Sequence, residues 1–194
     1  LRVFHPKDIK FSSLGSMISV CFKSSFQIFN FYSRRKVFDS RDLGKAYPNL
    51  VIHTEEIRSL TWDSDDTGFA TCGNDGRVAF WNIDNFTQPI VYQKNTYFKA
   101  VEIMTMEDCM HKKLFVLDDH ALHEVFHNEN VKDDVGDNYD TDKRELQYNV
   151  VQEGKYSSMI FDQELKLLFL ASPSDKTCSL SILDYGKYLL TNQK

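Results

Sequence analysis

An excess of positive charge, paired cysteines and long apolar runs are all missing from this sequence, and each absence excludes a class of protein. The net charge of −5 argues against a nucleic-acid partner, because binding a phosphate backbone calls for a basic surface. The apolar runs are far too short to span a bilayer, and no basic-then-apolar leader opens the sequence, so we expect neither a membrane segment nor a signal peptide. The cysteines form no C-x-x-C pair, and their apolar neighbours favour buried thiols in a reducing, cytoplasmic compartment. They are Cys21, Cys72, Cys109 and Cys178.

Aromatic and apolar residues suited to strands are abundant. Hydrophobic residues make up 42% of the 194 positions, charged residues 26% and aromatic residues 13%, with 15 phenylalanines. This composition is that of one globular domain or part of one.

The stretch 53–84 carries the clearest pattern. Segments 57–62 and 77–81 alternate apolar and polar residues, and segment 68–72 between them holds small, β-compatible residues. The breaks consist of turn formers, with the sequences DSDD at 63–66 and GNDG at 73–76. Period-two alternation between such turns predicts three antiparallel strands, and Asn-Asp-Gly supplies the positive-φ residues of a tight hairpin.

Four residues of this stretch stand at the spacing of a WD40 repeat, which the stretch resembles. Trp81 takes the place of the signature tryptophan, Asp75 lies six residues before it, Thr71 ten before it, and His53 precedes the first strand. The resemblance implies a buried chain of hydrogen bonds from indole N–H to hydroxyl to imidazole to aspartate, in which each member satisfies the next. We therefore predict a structural tetrad. The alternative is a Ser/His/Asp-type triad, for which a hydroxyl inside a strand is poorly placed.

Strand patterns recur along the chain at about 40 to 45 residues, the period of a propeller. The predicted fold is all-β, a WD40-type β-propeller fragment of about four blades, each of four antiparallel strands. We place the blades at about 5–48, 49–95, 96–152 and 153–194. Only the second blade keeps all four polar residues; the others follow from strand pattern alone.

An acidic stretch, 129–145, divides the third blade and precedes its predicted outer strand at 146–151. Its aspartates, asparagines and glycine indicate a solvated loop. A calcium site is the alternative, but the EF-hand spacing is absent.

One pattern points to catalysis, since residues 123–127 read H-E-V-F-H. On a helix, His123 and His127 would share one face and bind zinc while Glu124 activates water, with Glu145 or Glu153 as a third ligand. The repeat register instead places this segment on an inner strand, where the two imidazoles would stand about 13 Å apart, too far for one ion. We predict no catalytic, cofactor-binding or metal-binding residues, and a zinc metallopeptidase remains the alternative.

The order of the four units resembles one family of WD-repeat proteins. The sequences EIRSLTW (56–62) and DGRVAFWN (75–82) come first, then DHALHEV (119–125), then YSSMI (156–160) and LFL (168–170). This succession is similar to the second propeller of the cilia- and flagella-associated protein 57 family of the motile axoneme.

The resemblance implies a non-catalytic scaffold or adaptor within a large assembly in the cilium or flagellum. It implies axonemal partners at the inner dynein arm and the doublet microtubule, a role in inner dynein arm docking and ciliary motility, and no cofactor. The alternative is a WD40 interaction adaptor outside cilia.

Propellers bind mainly through their loop-lined ends, because their strands are buried between blades. The candidate partner contacts are Arg34, Arg35, Lys36, Glu55, Glu56 and Phe86. For the basic turn, the alternative is an ordinary solvated turn. Four blades seldom close a ring, and the last would have an unpaired edge, so we expect the fragment to need further blades or a partner for stability.

Overall fold

The computed structural model describes residues 5–47, 52–87, 89–93, 102–107, 112–126, 147–162, 164–173 and 178–192. Within these ranges the chain forms four antiparallel sheets that follow one another in sequence. In each sheet, strands that are consecutive in the chain are also neighbours in space. This meander confirms the all-β prediction.

Sheet 1 has four strands and is followed by a short helix. Its elements are β1 (Asp8–Phe11), β2 (Met17–Cys21), β3 (Phe26–Asn30), β4 (Lys36–Asp39) and α1 (Ser40–Ala46). The helix was not anticipated within the first blade. It begins because the Asp39 carboxylate caps it, accepting a hydrogen bond from the Arg41 backbone N–H at 3.1 Å, and it packs through buried Leu43. The Arg41 guanidinium, assisted by Lys36, holds the pKa of Asp39 well below its ordinary value.

Sheet 2 contains the predicted three-strand stretch and an outer strand. Its elements are β5 (Ile57–Trp62), β6 (Gly68–Gly73), β7 (Arg77–Asn82) and β8 (Ile90–Gln93). Strand β6 is buried along its whole length. Phe69 packs toward sheet 1 while Ala70 and Cys72 pack toward sheet 3, because successive side chains of a strand point to opposite faces.

Sheet 3 is a four-stranded meander with the order β12-β11-β10-β9. Its elements are β9 (Glu102–Glu107), β10 (Lys112–Leu117), β11 (Ala121–Phe126) and β12 (Gln147–Glu153). The outer strand predicted at 146–151 corresponds to β12. The acidic stretch 129–145 lies outside the described residues.

Sheet 4 differs from the prediction of four strands. In the part of the chain that the structure describes, it contains β13 (Ser158–Asp162), β14 (Leu167–Ser172) and β15 (Ser179–Asp184). The chain then turns into helix α2 (Tyr185–Asn192), whose Tyr185 is buried against sheets 3 and 4. The helix places the large Tyr185 ring in the apolar cluster between these two sheets. No helix among the described residues is long and apolar enough to cross a membrane.

Three apolar clusters join each sheet to the next. Phe26 and Ile28 of sheet 1 meet Leu60 and Trp81 of sheet 2. Further clusters lie between sheets 2 and 3 and between sheets 3 and 4, where helix α2 also contributes. Among the described residues, nothing covers the outer faces of sheets 1 and 4, and their exposed apolar residues include Ile9, Phe11, Ile160, Leu180 and Ile182.

Sheets 1 and 2 share two loop-lined ends. At the first, here called the His53 end, the Ile57 N–H donates to the Lys23 carbonyl at 2.7 Å. This end comprises the turns 22–25, 52–56 and 73–76. The opposite end, here called the Asp66 end, comprises the turns 12–16, 31–35, 63–67 and 83–87. There the Ser12 hydroxyl donates to Asp66 at 2.6 Å, so the two sheets are tied at both ends.

Candidate functional site

The hairpin of β6 and β7 brings the four tetrad side chains into one line. The Trp81 indole N–H donates to the Thr71 hydroxyl oxygen at 3.1 Å. The Thr71 oxygen lies 2.9 Å from Nε2 of His53, and Nδ1 of His53 lies 3.2 Å from Asp75 Oδ1. Thr71 and Trp81 come from adjacent strands, Asp75 from the turn between them, and His53 from the segment that leads into β5.

The donor and acceptor inventory fixes the direction of this chain. The indole can only donate, so the Thr71 oxygen accepts from Trp81 and its own proton goes to Nε2 of His53. His53 then carries its proton on Nδ1 and donates it to the Asp75 carboxylate. This tautomer is assigned from the network, and it satisfies every polar atom that the four side chains contribute to the line.

Asp75 anchors the line at the hairpin tip. Burial acts to raise the pKa of Asp75, but hydrogen bonds from His53 and from the backbone N–H groups of Thr54 and Arg77 outweigh it and lower the pKa below its ordinary value. The Thr54 N–H lies 2.7 Å from Oδ2 and the Arg77 N–H 3.1 Å from Oδ1. The carboxylate is therefore ionised and fully engaged near neutral pH.

A glycine makes room for this anchor. A Cβ on Gly73 would lie 2.8 Å from Asp75 Oδ1 and 2.9 Å from His53 Nδ1, closer than real Cβ contacts allow. In the sequence, a glycine at the end of a strand and next to a turn indicates a position where side chains approach the backbone closely. Which two side chains approach Gly73 is seen only in the structure.

The tetrad has no access to a substrate. Thr71 is 0% exposed and Trp81 3% exposed, and the hydroxyl already donates and accepts. A nucleophile must reach a reacting atom and give up its proton to a base, which this buried hydroxyl cannot do. The tetrad is therefore structural: its hydrogen bonds fix the β6–β7 hairpin to the segment that leads into β5.

The described part of the H-E-x-x-H pattern, residues 123–126, lies on strand β11, as its repeat register predicted, and not on the helix that zinc binding requires. Nε2 of His123 lies 2.7 Å from Asp118 Oδ2, while Glu124 points to the other face of the strand. There Glu124 pairs with Lys113 at 2.8 Å and accepts a hydrogen bond from Tyr185 at 3.2 Å. His127 and Glu145 lie outside the described residues. No group of three His, Cys, Asp or Glu side chains within the described ranges could hold a metal ion.

Asp118 holds the turn between β10 and β11. Its Oδ1 accepts hydrogen bonds from the backbone N–H groups of His120 and Ala121 at 2.8 and 2.7 Å. Burial alone would raise the pKa of Asp118, but these bonds and the one from His123 lower it. His123 therefore serves a hairpin clasp on sheet 3, at a different position from the tetrad of sheet 2.

The candidate partner contacts divide between the two ends. Glu55 and Glu56 lie at the His53 end, where Glu56 pairs with Lys7 at 3.4 Å. Phe86 lies at the Asp66 end, where its ring stacks on Phe38 with 4.3 Å between centroids, so it is partly buried in the core.

The basic turn also lies at the Asp66 end, and its three cations differ. Lys36 pairs with Asp39 at 3.0 Å and approaches Asp42 at 3.9 Å. Arg34 and Arg35 are exposed at the tip of the turn between β3 and β4.

Sequence reasoning missed one clasp between sheets. The carboxylate of Asp66 accepts hydrogen bonds from the Ser12 and Ser16 hydroxyls at 2.6 and 3.1 Å and from the Leu14 backbone N–H at 3.1 Å. Asp66 was recognised only as a turn former. Its partners lie 50 to 54 positions earlier, and nothing in the local pattern pointed to them.

Comparisons with known proteins agree with this architecture. No family model matches the chain. Over 86 residues it is 31% identical to cilia- and flagella-associated protein 57 A of Tetrahymena thermophila, a match that covers 44% of this chain and 6% of that protein. Over 200 residues it is 27% identical to cilia- and flagella-associated protein 57 C of the same organism, covering 94% of this chain and 14% of that protein. The chain thus spans only a small part of the length of these curated relatives.

Among solved structures, the fold matches the β-propeller domain of Cps50 (Swd1) from Myceliophteria thermophila. The TM-score is 0.67 at 11% identity, and the match covers 96% of this chain and 54% of that one. At this identity the likeness concerns the fold alone. The chain is a WD40-type β-propeller fragment of about four blades, and in sequence it resembles the WD-repeat proteins cilia- and flagella-associated protein 57 A and C.

Proposed function

We propose that the chain is part of a non-catalytic scaffold of the motile-cilium axoneme, which supports inner dynein arm docking and thereby ciliary motility. The observation that carries the proposal is the similarity to cilia- and flagella-associated protein 57 C along 94% of the chain. Partners would be other axonemal proteins at the inner dynein arm and the doublet microtubule. The location would be the axoneme of the cilium or flagellum.

The chemistry of the described residues supports a binding role. The polar side chains that resemble catalytic groups are used inside the fold: Thr71 and His53 in the tetrad, His123 on Asp118, and Glu124 on Lys113. Surfaces for a partner lie on the loops at the two ends, which vary without disturbing the sheets. We propose that Arg34, Arg35, Lys36, Glu55, Glu56 and Phe86 contribute to such contacts.

Rescue of a null mutant in a ciliated cell tests this function. The full-length protein carrying a tag should fractionate with demembranated axonemes and restore both inner dynein arm content and beat frequency. Thr71→Val should reduce rescue because it weakens the propeller, whereas the exposed Thr67→Val should rescue fully. A protein that stays in the soluble fraction and leaves the beat unchanged would refute the axonemal role and favour a WD40 adaptor outside cilia.

A further inference from the structure

The Asp66 end of sheet 1 carries an exposed aromatic patch beside two arginines. Tyr32 is 76% exposed, Phe31 46% and Leu14 68%. The Phe31 and Tyr32 rings meet edge to face, with centroids 5.6 Å apart. Arg34 and Arg35 follow in the same turn and are exposed. Aromatic residues and arginine are the types that most often supply binding energy at protein interfaces. These five residues are called the tip patch below.

No other described residue neutralises the two arginines. Within the described ranges, neither Arg34 nor Arg35 forms an ion pair, although other cations of sheet 1 and helix α1 do. Those paired cations are Lys36 and Arg41 on Asp39, and Lys45 on Asp42. Two free guanidinium groups on a chain of net charge −5 form a local field that attracts carboxylates.

The backbone at Arg34 adopts a conformation that is costly for an arginine. Its φ is 56°, in the left-handed region that glycine and asparagine occupy at low cost and other residues rarely adopt. A hairpin turn alone would be better served by glycine at this position. The arginine therefore places a guanidinium at the tip of the turn at a backbone cost that glycine would avoid.

Hydrogen bonds anchor the turns that carry the tip patch. The Phe31 N–H donates to the Ser16 carbonyl at 2.9 Å, which joins the two turns of sheet 1, and the Asn30 N–H donates to the Arg35 carbonyl at 2.9 Å. The Asp66 carboxylate fixes the turn that carries Leu14. Such preorganisation lowers the entropy lost when a partner binds.

We propose that the tip patch binds an acidic, extended segment of a partner protein. Carboxylates of the segment would pair with Arg34 and Arg35, and an apolar side chain between them would lie on Tyr32 and Phe31. The proposal rests on the scaffold function above and names the class of partner. A long polyanion such as nucleic acid fits less well, because binding a phosphate backbone calls for an extended row of cations, whereas the tip patch offers two arginines.

Fluorescence anisotropy with labelled peptides tests the proposal on the full-length protein. The probe is a peptide of glutamates interrupted by leucines, compared with one in which lysine replaces every glutamate and one in which serine replaces every leucine. We expect the first to bind, the lysine peptide not to bind, and the leucine-free peptide to bind more weakly. Binding should weaken as salt rises, since exposed charges are screened.

Variants locate the site. Arg34→Glu/Arg35→Glu should lower the affinity by about tenfold or more, while Lys45→Glu/Lys155→Glu removes the same charge elsewhere and should leave it unchanged. Tyr32→Ala should also weaken binding. Arg34→Gly separates binding from folding, because it should reduce affinity without lowering the melting temperature.

Three results would overturn the proposal: equal binding of the acidic and lysine peptides, equal loss in both double variants, or preference for single-stranded oligonucleotide or phosphatidylserine vesicles over the acidic peptide. The proposed function is judged separately. A protein that fractionates with axonemes but does not bind the acidic peptide would support the scaffold function and refute the proposed partner. A protein that binds the peptide but stays in the soluble fraction would support the partner and refute the axonemal function.

Discussion

Replacing Thr71 with valine removes the central hydroxyl of the tetrad while keeping the shape of the side chain. The indole N–H of Trp81 then loses its acceptor, and Nε2 of His53 loses its donor, at a site with no access to water. Each lost hydrogen bond costs about 1 kcal/mol, and a buried group left without a partner costs about 1–3 kcal/mol. We expect the free energy of unfolding to fall by about 2–4 kcal/mol, a large share of the stability of a single domain.

Urea unfolding followed by circular dichroism measures this loss from the shift in midpoint at constant slope. Thr67→Val is the matched control: the Thr67 hydroxyl bonds Asp65 at 2.8 Å on the exposed surface, where water can replace it, so we expect a loss of about 0.5 kcal/mol or less. In a double-mutant cycle, Thr71→Val with Trp81→Phe should cost less than the sum of the two single changes, by about 1 kcal/mol. Equal losses from Thr71→Val and Thr67→Val would refute the reasoning, because burial would then have no effect on the value of the hydroxyl.

Four other predictions concern the same hairpin, the tip patch and the open faces. The folded state lowers the pKa of Asp75, so the stability that the ionised carboxylate contributes is present above the ordinary pKa of 3.8 and is lost as the pH falls through the folded-state pKa. The difference in free energy of unfolding between the protein and Asp75→Asn should therefore be largest near pH 7. It should become smaller in urea titrations at successively lower acidic pH. Gly73→Ala should lower the stability measured by thermal unfolding by about 1–3 kcal/mol, because the new methyl group would crowd Asp75 and His53. Gly186→Ala in helix α2 is the control: the nearest atom to its new Cβ would be 3.4 Å away, so we expect a neutral or slightly stabilising effect. Similar melting temperatures for the two variants would contradict this prediction. Arg34→Gly should raise the free energy of unfolding by about 1 kcal/mol because it relieves a left-handed backbone; a loss of stability would show that the arginine also holds the turn. Residues 1–194 expressed alone should associate or melt broadly because the outer faces of sheets 1 and 4 are open, and a monomer with a sharp melting transition would contradict that expectation.

The tetrad is the part of the site that sequence reasoning could reach. Three of its members lie in the β6–β7 hairpin, where alternation along the two strands and the length of the turn largely set which side chains meet; His53 lies in the segment that leads into β5. The spacing from Thr71 to Trp81 was therefore enough to predict the hydrogen bond between them. The Asp66 clasp could not be found in this way, because the turn at 63–66 gives no indication of the serines that approach it from another sheet.

The H-E-x-x-H pattern shows how secondary structure decides chemistry. The same letters on a helix would place His123 and His127 on one face, whereas on β11 the neighbours His123 and Glu124 point to opposite sides. The repeat register predicted the strand. It could not predict that Lys113 would form an ion pair with Glu124 and that Tyr185 would donate a hydrogen bond to it, since Tyr185 belongs to a helix placed where an outer strand was expected.

The sequence by itself determined the strands, the tight turns and the polar line through the second sheet, because alternation and turn chemistry act between residues near each other in the chain. Tertiary structure alone decided which carboxylates are paired inside the fold, that Arg34 and Arg35 form no ion pair with another described residue, and that helix α1 follows sheet 1 and helix α2 follows sheet 4. Those outcomes depend on contacts between segments that are distant in sequence. The free energy of such a contact depends on how deeply it is buried, and that is set only when the segments pack together.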